Sequence, residues 1–197
     1  AVCVLVGDIT VASAKKFAET YFGRYPAGRL SPEKVTREPE QQGPRKSFRI
    51  LKGARTPLVR ISFHGAPMGT RDFYALDVMT MVLSHGRSAR MTQNIIEKGL
   101  AVGAWAYNPD NRYGGRVIFG GSPNEPQAIL NKALSEDDKR QAYLKACEAL
   151  EDILLTEAEK MKTEPVLENE LKRIKILNRR DFIEGMRSND KLAGTLA

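Results

Sequence analysis

The sequence has few of the residues from which metal sites are usually built. Its 197 residues include only two histidines and two cysteines. A metal site usually needs closely spaced ligands, because one helix or turn must present them to one ion. The patterns that supply such ligands, H-E-x-x-H, H-x-x-E-H and paired C-x-x-C, are absent. We therefore expect no metal site in this chain. His64 is interpreted as a residue at a strand end and His85 as one at a helix end.

Signals for nucleophilic and phosphate chemistry are also missing. There is no G-x-S-x-G elbow, and the glycine-rich stretches lack the lysine and the spacing of a phosphate-binding loop. Gly120–Pro123 is interpreted as a turn. Cys3 and Cys147 lie in apolar settings without a basic neighbour, which favours buried free thiols over a disulfide or a nucleophile. No catalytic residue and no cofactor are expected in this chain.

Long apolar runs are lacking too, because Ala1–Gly7 and Val78–Leu83 are far shorter than the roughly 18 residues that a membrane-spanning helix needs. The formal charge is +7, but lysines and arginines are spread along the chain, with acids interleaved in its C-terminal part. This distribution favours a solvated basic surface over a nucleic-acid site, and it leaves an acidic peptide or an anionic membrane surface open as partners. Acid pairs such as Glu157/Glu159 are interpreted as solvated helix faces.

The N-terminal part begins inside the pattern of a buried strand, so we expect the chain to be cut from a longer protein. Ala1–Val6 is predicted to be this strand, and Val11–Phe22 an amphipathic helix capped by Thr10. Residues Arg24–Arg45 are rich in proline, glycine and charge, which is typical of an extended linker. A domain boundary is therefore predicted there.

The rest of the chain alternates paired strands with helices. Predicted strands are Ser47–Lys52, Leu58–Phe63, Leu100–Tyr107 and Arg116–Gly121, the last two forming a hairpin around the turn Asn108–Asn111. Predicted helices run from Thr70 or Asp72 to His85, from Ser88 to Lys98, over Gln127–Leu134, Glu136–Lys162 and Glu168–Ile183, and from Asp190 onward. Adjacent strand pairs predict an α+β fold, with a largely antiparallel sheet and helices packed on one face. The aromatic group Trp105, Tyr107 and Tyr113 is interpreted as hairpin packing and not as a base-stacking surface.

Four segments in order carry a family resemblance. They are Val2–Asp8 followed by Phe17–Pro26, then Asp72–Leu76 through Leu83–Met91, then Glu97–Ala101, and finally Glu164–Val166 through Glu170–Lys175. Together they resemble the pitrilysin (insulinase-type) zinc-peptidase family, which includes the mitochondrial processing peptidases. Subunits of that family consist of two similar α+β halves. The resemblance implies that residues 1–23 end a first half, that 24–45 link the halves, and that 46–197 form a second half truncated at its C-terminus.

The sequence departs from the family pattern at the residues that bind zinc and contact the substrate. The H-x-x-E-H zinc motif belongs earlier in the first half, so the resemblance implies zinc in a full-length parent and none in this segment. In many members the second half supplies an Arg and a Tyr that contact the substrate or the developing oxyanion. Their positions correspond to Ile95 and Val102, which cannot donate side-chain hydrogen bonds.

The resemblance implies a non-catalytic C-terminal portion of a zinc-dependent endopeptidase, forming chamber wall and hinge. The expected partners are the missing N-terminal half-domain, a peptide substrate and a second peptidase-family subunit, in a homo- or heterodimer, but no nucleic acid. The alternative is part of an inactive homologue that serves an active subunit as a structural partner. A basic nucleic-acid-binding module is a third hypothesis. For a bacterial parent, the family implies the periplasm.

Overall fold

A computed structural model describes residues 3–26, 28, 36, 39, 41–51, 56–126 and 135–196. The chain divides into two compact units, Ile50–Ile176 and Ala1–Arg49 together with Leu177–Ala197. Within the described ranges, no helix combines the length and the apolar character that a membrane crossing requires.

A three-stranded antiparallel sheet is the centre of the larger unit. Its strands are β1 (Val59–Gly65), β2 (Ala101–Tyr107) and β3 (Gly115–Pro123), and β3 lies between the other two. Strand β1 pairs with β3 over its whole length, with Ile61 opposite Phe119. Strand β2 pairs with β3 as well, and a register shift between Ala101 and Gly103 leaves Val102 without a partner, as in a β-bulge.

The helical elements are α1 (Val11–Tyr21), α2 (Arg71–Ser84), a π-helical segment (Thr92–Ile96), α3 (Glu136–Thr163), α4 (Glu168–Met186) and α5 (Asn189–Leu196). A hydroxyl side chain caps the start of α1, α2 and α3. The Thr70 hydroxyl accepts a hydrogen bond from the Phe73 amide at 3.2 Å, and the Ser135 hydroxyl accepts one from the Asp138 amide at 3.1 Å. Acids in the first turn of α3 and lysines in its last turn complement the helix dipole.

One face of the sheet forms the hydrophobic core with α2, the π-helical segment and α3. The buried residues of this core are Leu83, Met91, Ile95, Ala101, Ala104, Ala106, Val117, Phe119, Leu150 and Leu154. Gly121 lies on the same face, where a β-carbon would stand 2.6 Å from the Gly103 carbonyl oxygen and 3.2 Å from a methyl group of Leu150. Glycine at this position therefore lets α3 approach the middle strand closely.

The connection between α3 and α4 is fastened by an ion pair. Arg90 donates from Nε to Glu170 Oε1 at 2.8 Å and from Nη2 to Glu170 Oε2 at 2.7 Å. Arg90 also donates to the Pro165 carbonyl at 3.1 Å, and the Leu167 amide donates to Glu170 Oε2 at 2.8 Å. The two charged side chains are 13% and 15% exposed. The hydrogen bonds from Arg90 hold the pKa of the Glu170 carboxyl below its usual value.

The smaller unit contains α1 and α5. Thr10 caps α1 as predicted, because its hydroxyl accepts a hydrogen bond from the Ser13 amide at 3.2 Å. The helix ends at Tyr21, one residue earlier than predicted, and none of its residues is buried.

Most of the other predicted elements are confirmed. Strand β1, the β2–β3 hairpin, α2, α3, α4 and α5 correspond to predicted elements within a few residues, and the α+β fold with an antiparallel sheet and helices on one face is confirmed. The helix predicted for Ser88–Lys98 is instead largely π-helical, since the amides of Glu97 and Leu100 donate to the carbonyls of Thr92 and Ile95, each at 2.9 Å. The helix predicted for Gln127–Leu134 lies outside the described residues.

Two predicted strands are wrong. Residues 3–6 and 47–51 form no strand, and Leu5 and Phe48 are 54% and 53% exposed. An apolar extended segment becomes a strand only if a neighbouring strand accepts its hydrogen bonds. The sheet of the described residues consists of β1, β3 and β2, so neither segment has such a neighbour.

Two local predictions also need correction. Gly120–Pro123 is the end of β3 and not a turn, because its two glycines make room for side chains packed on either face of the sheet. Cys3 is exposed, not buried, while Cys147 is half-buried, and burial raises the pKa of its thiol. Both are free thiols.

The Arg90–Glu170 pair predicts a pH-dependent stability. Glu170→Gln is expected to lower the free energy of unfolding by about 2 kcal/mol at neutral pH, because a largely buried guanidinium loses the carboxylate to which it donates two hydrogen bonds. The remaining carboxylate, Glu164, is exposed and 4.0 Å away. The folded-state pKa of Glu170 is depressed, so its contribution is present above the unfolded value of about 4.3 and disappears as the pH falls through the folded value. Urea denaturation at neutral and acid pH measures both effects.

Glu159→Gln is the matched control, since it breaks an exposed pair with Lys162 in the same unit. It is expected to change the stability by less than about 0.5 kcal/mol. Equal stability of Glu170→Gln and the unmodified chain at neutral pH would contradict the role given to this pair.

Candidate functional site

The sheet has a second face, opposite the hydrophobic core. Because side chains alternate along a strand, the residues between the core positions lie on this face. We call it the solvent face. It consists of Arg60, Ser62 and His64 of β1, Trp105 and Tyr107 of β2, and Arg116, Ile118, Gly120 and Ser122 of β3. Ile118 and Gly120 in the middle strand are buried, whereas the charged members of the face are exposed.

An aromatic and cationic row crosses the centre of the solvent face. The register places Arg60 and Trp105 opposite Gly120 from its two sides. Gly120 lies directly against the indole of Trp105, because a β-carbon on this glycine would collide with the ring. The guanidinium of Arg60 stands over the same ring, 5.8 Å from its centroid, in a cation–π contact. The ring centroid of Tyr107 lies 5.6 Å from that of Trp105.

The charged side chains of the three strands are all basic. The three strands contain no aspartate and no glutamate, and their ionisable side chains other than Tyr107 are Arg60, His64 and Arg116. His64 lies directly opposite Arg116 in the register. A surface with clustered basic groups and no acids attracts anions. The chemistry available here is therefore recognition of negative charge, with no pair of groups arranged for proton transfer.

The two positions predicted to correspond to the family's Arg and Tyr lie in different environments. Ile95 belongs to the π-helical segment, is 1% exposed and is part of the hydrophobic core. Val102 lies at the irregularity of β2 and is 65% exposed. The structure does not bring the two together on one surface of the larger unit. Only Val102 has surface that a ligand can contact in this unit.

The histidines do not form a metal centre with any described residues. His64 is exposed on β1, and His85 ends α2, where its carbonyl accepts a hydrogen bond from Arg173 Nη1 at 2.5 Å. No group of three or more His, Cys, Asp or Glu side chains within the described ranges is arranged to hold an ion. The donor set described for this chain therefore does not fit a zinc ion.

Glu157 was expected on a solvated helix face, and this expectation is wrong. The residue is 4% exposed. Its carboxylate accepts hydrogen bonds from Asn94 Nδ2 at 3.0 Å and from Lys160 Nζ at 2.5 Å. It lines a pocket of about 290 Å³ between the π-helical segment and α3. Because Asn94 belongs to the π-helical segment and Glu157 to α3, this hydrogen bond joins the two elements.

The comparisons with known proteins identify the class to which this fold belongs. The pattern of the family described as "Peptidase M16 inactive domain" matches residues 1–178. The chain therefore belongs to this family, and the resemblance to pitrilysin-type peptidases is confirmed for the half that lacks the zinc motif.

Individual relatives agree with this assignment. The chain is 24% identical over 202 aligned residues to zinc protease PqqE of Helicobacter pylori, covering all of this chain and 41% of that protein. A crystal structure of a protease from Helicobacter pylori matches with a TM-score of 0.75 at 22% identity, over 96% of this chain and 42% of that one. The inactive peptidase domain of a protein described as a zinc protease from Bordetella parapertussis matches with a TM-score of 0.51 at 23% identity, over 72% and 67% of the two chains. The chain thus spans less than half the length of the Helicobacter relatives.

The packing of Trp105 on Gly120 makes a testable prediction. Gly120→Ala is expected to displace the indole, to break its contact with Arg60 and to destabilise the unit by about 1–3 kcal/mol through overpacking. Since Trp105 is the only tryptophan, the shift appears directly in the fluorescence emission. Gly103→Ala is the control, because nothing lies within 4 Å of the β-carbon it would add. An unchanged emission spectrum in Gly120→Ala would contradict this packing.

The different burial of Ile95 and Val102 predicts that a substitution by Arg at position 95 destabilises the unit, whereas a substitution by Tyr at position 102 does not. Ile95→Arg places a charge in the hydrophobic core and is expected to lower the free energy of unfolding by at least about 3 kcal/mol. Val102→Tyr adds an exposed side chain and is expected to change stability by less than about 1 kcal/mol. Thermal denaturation of both variants checks this difference. Similar stability of the two would mean that position 95 is not in the core.

Proposed function

We propose that this chain is a non-catalytic portion of a longer zinc-dependent endopeptidase, in which it forms part of the wall around the bound peptide. In this proposal residues 1–23 close the preceding half-domain, 24–45 act as a hinge and 46–197 belong to the second half. The zinc ion and the groups that activate water lie in the preceding half, which is the partner of this segment within the same protein. A second subunit of the family is a further proposed partner.

The family match supports the non-catalytic assignment. It is to an inactive peptidase domain, and a relative that bears the name zinc protease extends well beyond this chain, which covers 41% of it. A longer parent of that kind would have room for a catalytic half. The residues that carry out hydrolysis would then belong to that half of the parent and not to this chain.

The site geometry supports the proposed role as a wall. The solvent face offers a basic, partly aromatic surface. Its charged groups are recognition groups, and the described acidic residue that is most buried, Glu157, already has a cationic and an amide partner. These observations favour a part that holds and orients a peptide over a part that cleaves it.

Comparing the parent protein with this chain tests the proposal. Both are incubated with a library of internally quenched fluorescent peptides, with and without the zinc chelator 1,10-phenanthroline. The parent is expected to hydrolyse peptides in a chelator-sensitive way, because it adds the zinc-bearing half. The isolated chain is expected to show no chelator-sensitive turnover.

Two results would contradict the proposal. Chelator-sensitive hydrolysis by the isolated chain would mean that the catalytic groups lie within it. A parent that binds no zinc and stays inactive until a separate zinc-bearing subunit is added would replace the proposal with the alternative, a structural partner of an active peptidase.

A further inference from the structure

We propose that the solvent face of the sheet is a binding surface for an extended peptide segment that carries two carboxylates. The family assignment does not specify the charge of the bound peptide, and this proposal makes it an acidic one. The identification of that peptide as a substrate rests on the proposed function. The binding surface itself rests on the register and charge of β1, β2 and β3.

Charge complementarity favours such a ligand. Arg60 and Arg116 are exposed, and no aspartate or glutamate in the three strands competes for them. An arginine guanidinium forms two parallel hydrogen bonds with a carboxylate, which makes it well suited to this ligand. A basic surface without internal acid partners therefore favours an anionic occupant over a neutral or cationic one.

The spacing of the two arginines matches an extended chain. Arg60 lies opposite Gly120, and Arg116 lies four residues earlier along β3. Four residues of strand correspond to about 13 Å. An extended peptide that runs along β3 has the same rise per residue, so carboxylates four positions apart match both arginines. The rings of Trp105 and Tyr107 supply apolar contact beside this path.

The packing of Trp105 favours a peptide over a single-stranded nucleic acid. Nucleic acids bind such surfaces by stacking bases on free aromatic faces. In this sheet Gly120 lies directly against the indole and Arg60 stands over its ring. The ring is therefore partly covered by the protein itself, whereas Arg60 is exposed and can bind a carboxylate.

The binding test uses a short dye-labelled peptide with two glutamates four positions apart in a background of threonine, valine and alanine. The reference peptide has glutamine at both positions. Fluorescence anisotropy is expected to show the glutamate peptide binding at least about 5-fold more tightly, with the difference shrinking at high salt. A change in Trp105 emission on titration with unlabelled peptide locates the binding to this face.

Arginine variants assign the binding to named residues. Arg60→Gln and Arg116→Gln are each expected to weaken binding of the glutamate peptide by about 3- to 10-fold. Arg71→Gln is the control, because Arg71 is an exposed arginine of α2 outside the solvent face, and it is expected to leave affinity unchanged. Circular dichroism confirms that the variants are folded before binding is compared.

Three outcomes would overturn the proposal: equal affinity for the glutamate and glutamine peptides, equal loss of affinity in Arg71→Gln and Arg60→Gln, or binding of an oligothymidylate but not of the glutamate peptide. The last outcome would identify a nucleic-acid surface.

The binding measurements do not depend on whether the parent hydrolyses peptides. An inactive parent whose sheet still binds the glutamate peptide would refute the proposed function alone, and an active parent without this binding would refute the inference alone.

Discussion

The pairing of β3 with a strand on each side is the constraint on which the larger unit depends. Because side chains alternate, this pairing sorts every residue of the sheet into one of two faces. One face must be buried, and it packs small and aliphatic side chains against α2, the π-helical segment and α3. The other face is then left with the arginines, the tryptophan and the tyrosine. The two glycines at the end of β3 serve both faces, since Gly121 admits Leu150 on one side and Gly120 admits Trp105 on the other.

This division determines which side chains of the unit remain available to a ligand. The π-helical segment carries Ile95 into the core, so this side chain stabilises the fold and has no surface for a ligand in the larger unit. Glu157 and Glu170 are likewise committed to holding elements together through Asn94, Lys160 and Arg90. The charged groups that remain accessible on the sheet are basic, and basic groups recognise anions without activating water. The proposed role in peptide recognition rests on these exposed basic groups.

Local signals allowed much of the fold to be predicted from the sequence. Thr70 and Thr10 mark helix starts because their hydroxyls cap free amides, and the polar turn after Tyr107 separates two β-rich segments of opposite direction. Non-local facts could not be predicted in this way. Ser47–Lys52 has the composition of a strand, yet strand formation depends on a partner that composition does not specify. The burial of Glu157 had a visible signal, since it shares a helix face with Leu150 and Leu154 at helical spacing, but its charge outweighed that signal in the prediction.

Collisional quenching of Trp105 fluorescence tests most directly whether the face opposite the core is positively charged. Trp105 is the only tryptophan, so quenching by iodide and by caesium reports the potential at one known place on the sheet. Relative to a free tryptophan amide at the same ionic strength, iodide is expected to retain much more of its quenching efficiency than caesium, because the neighbouring arginines concentrate anions. Equal retention for the two ions would show that the face is neutral, and would contradict the account.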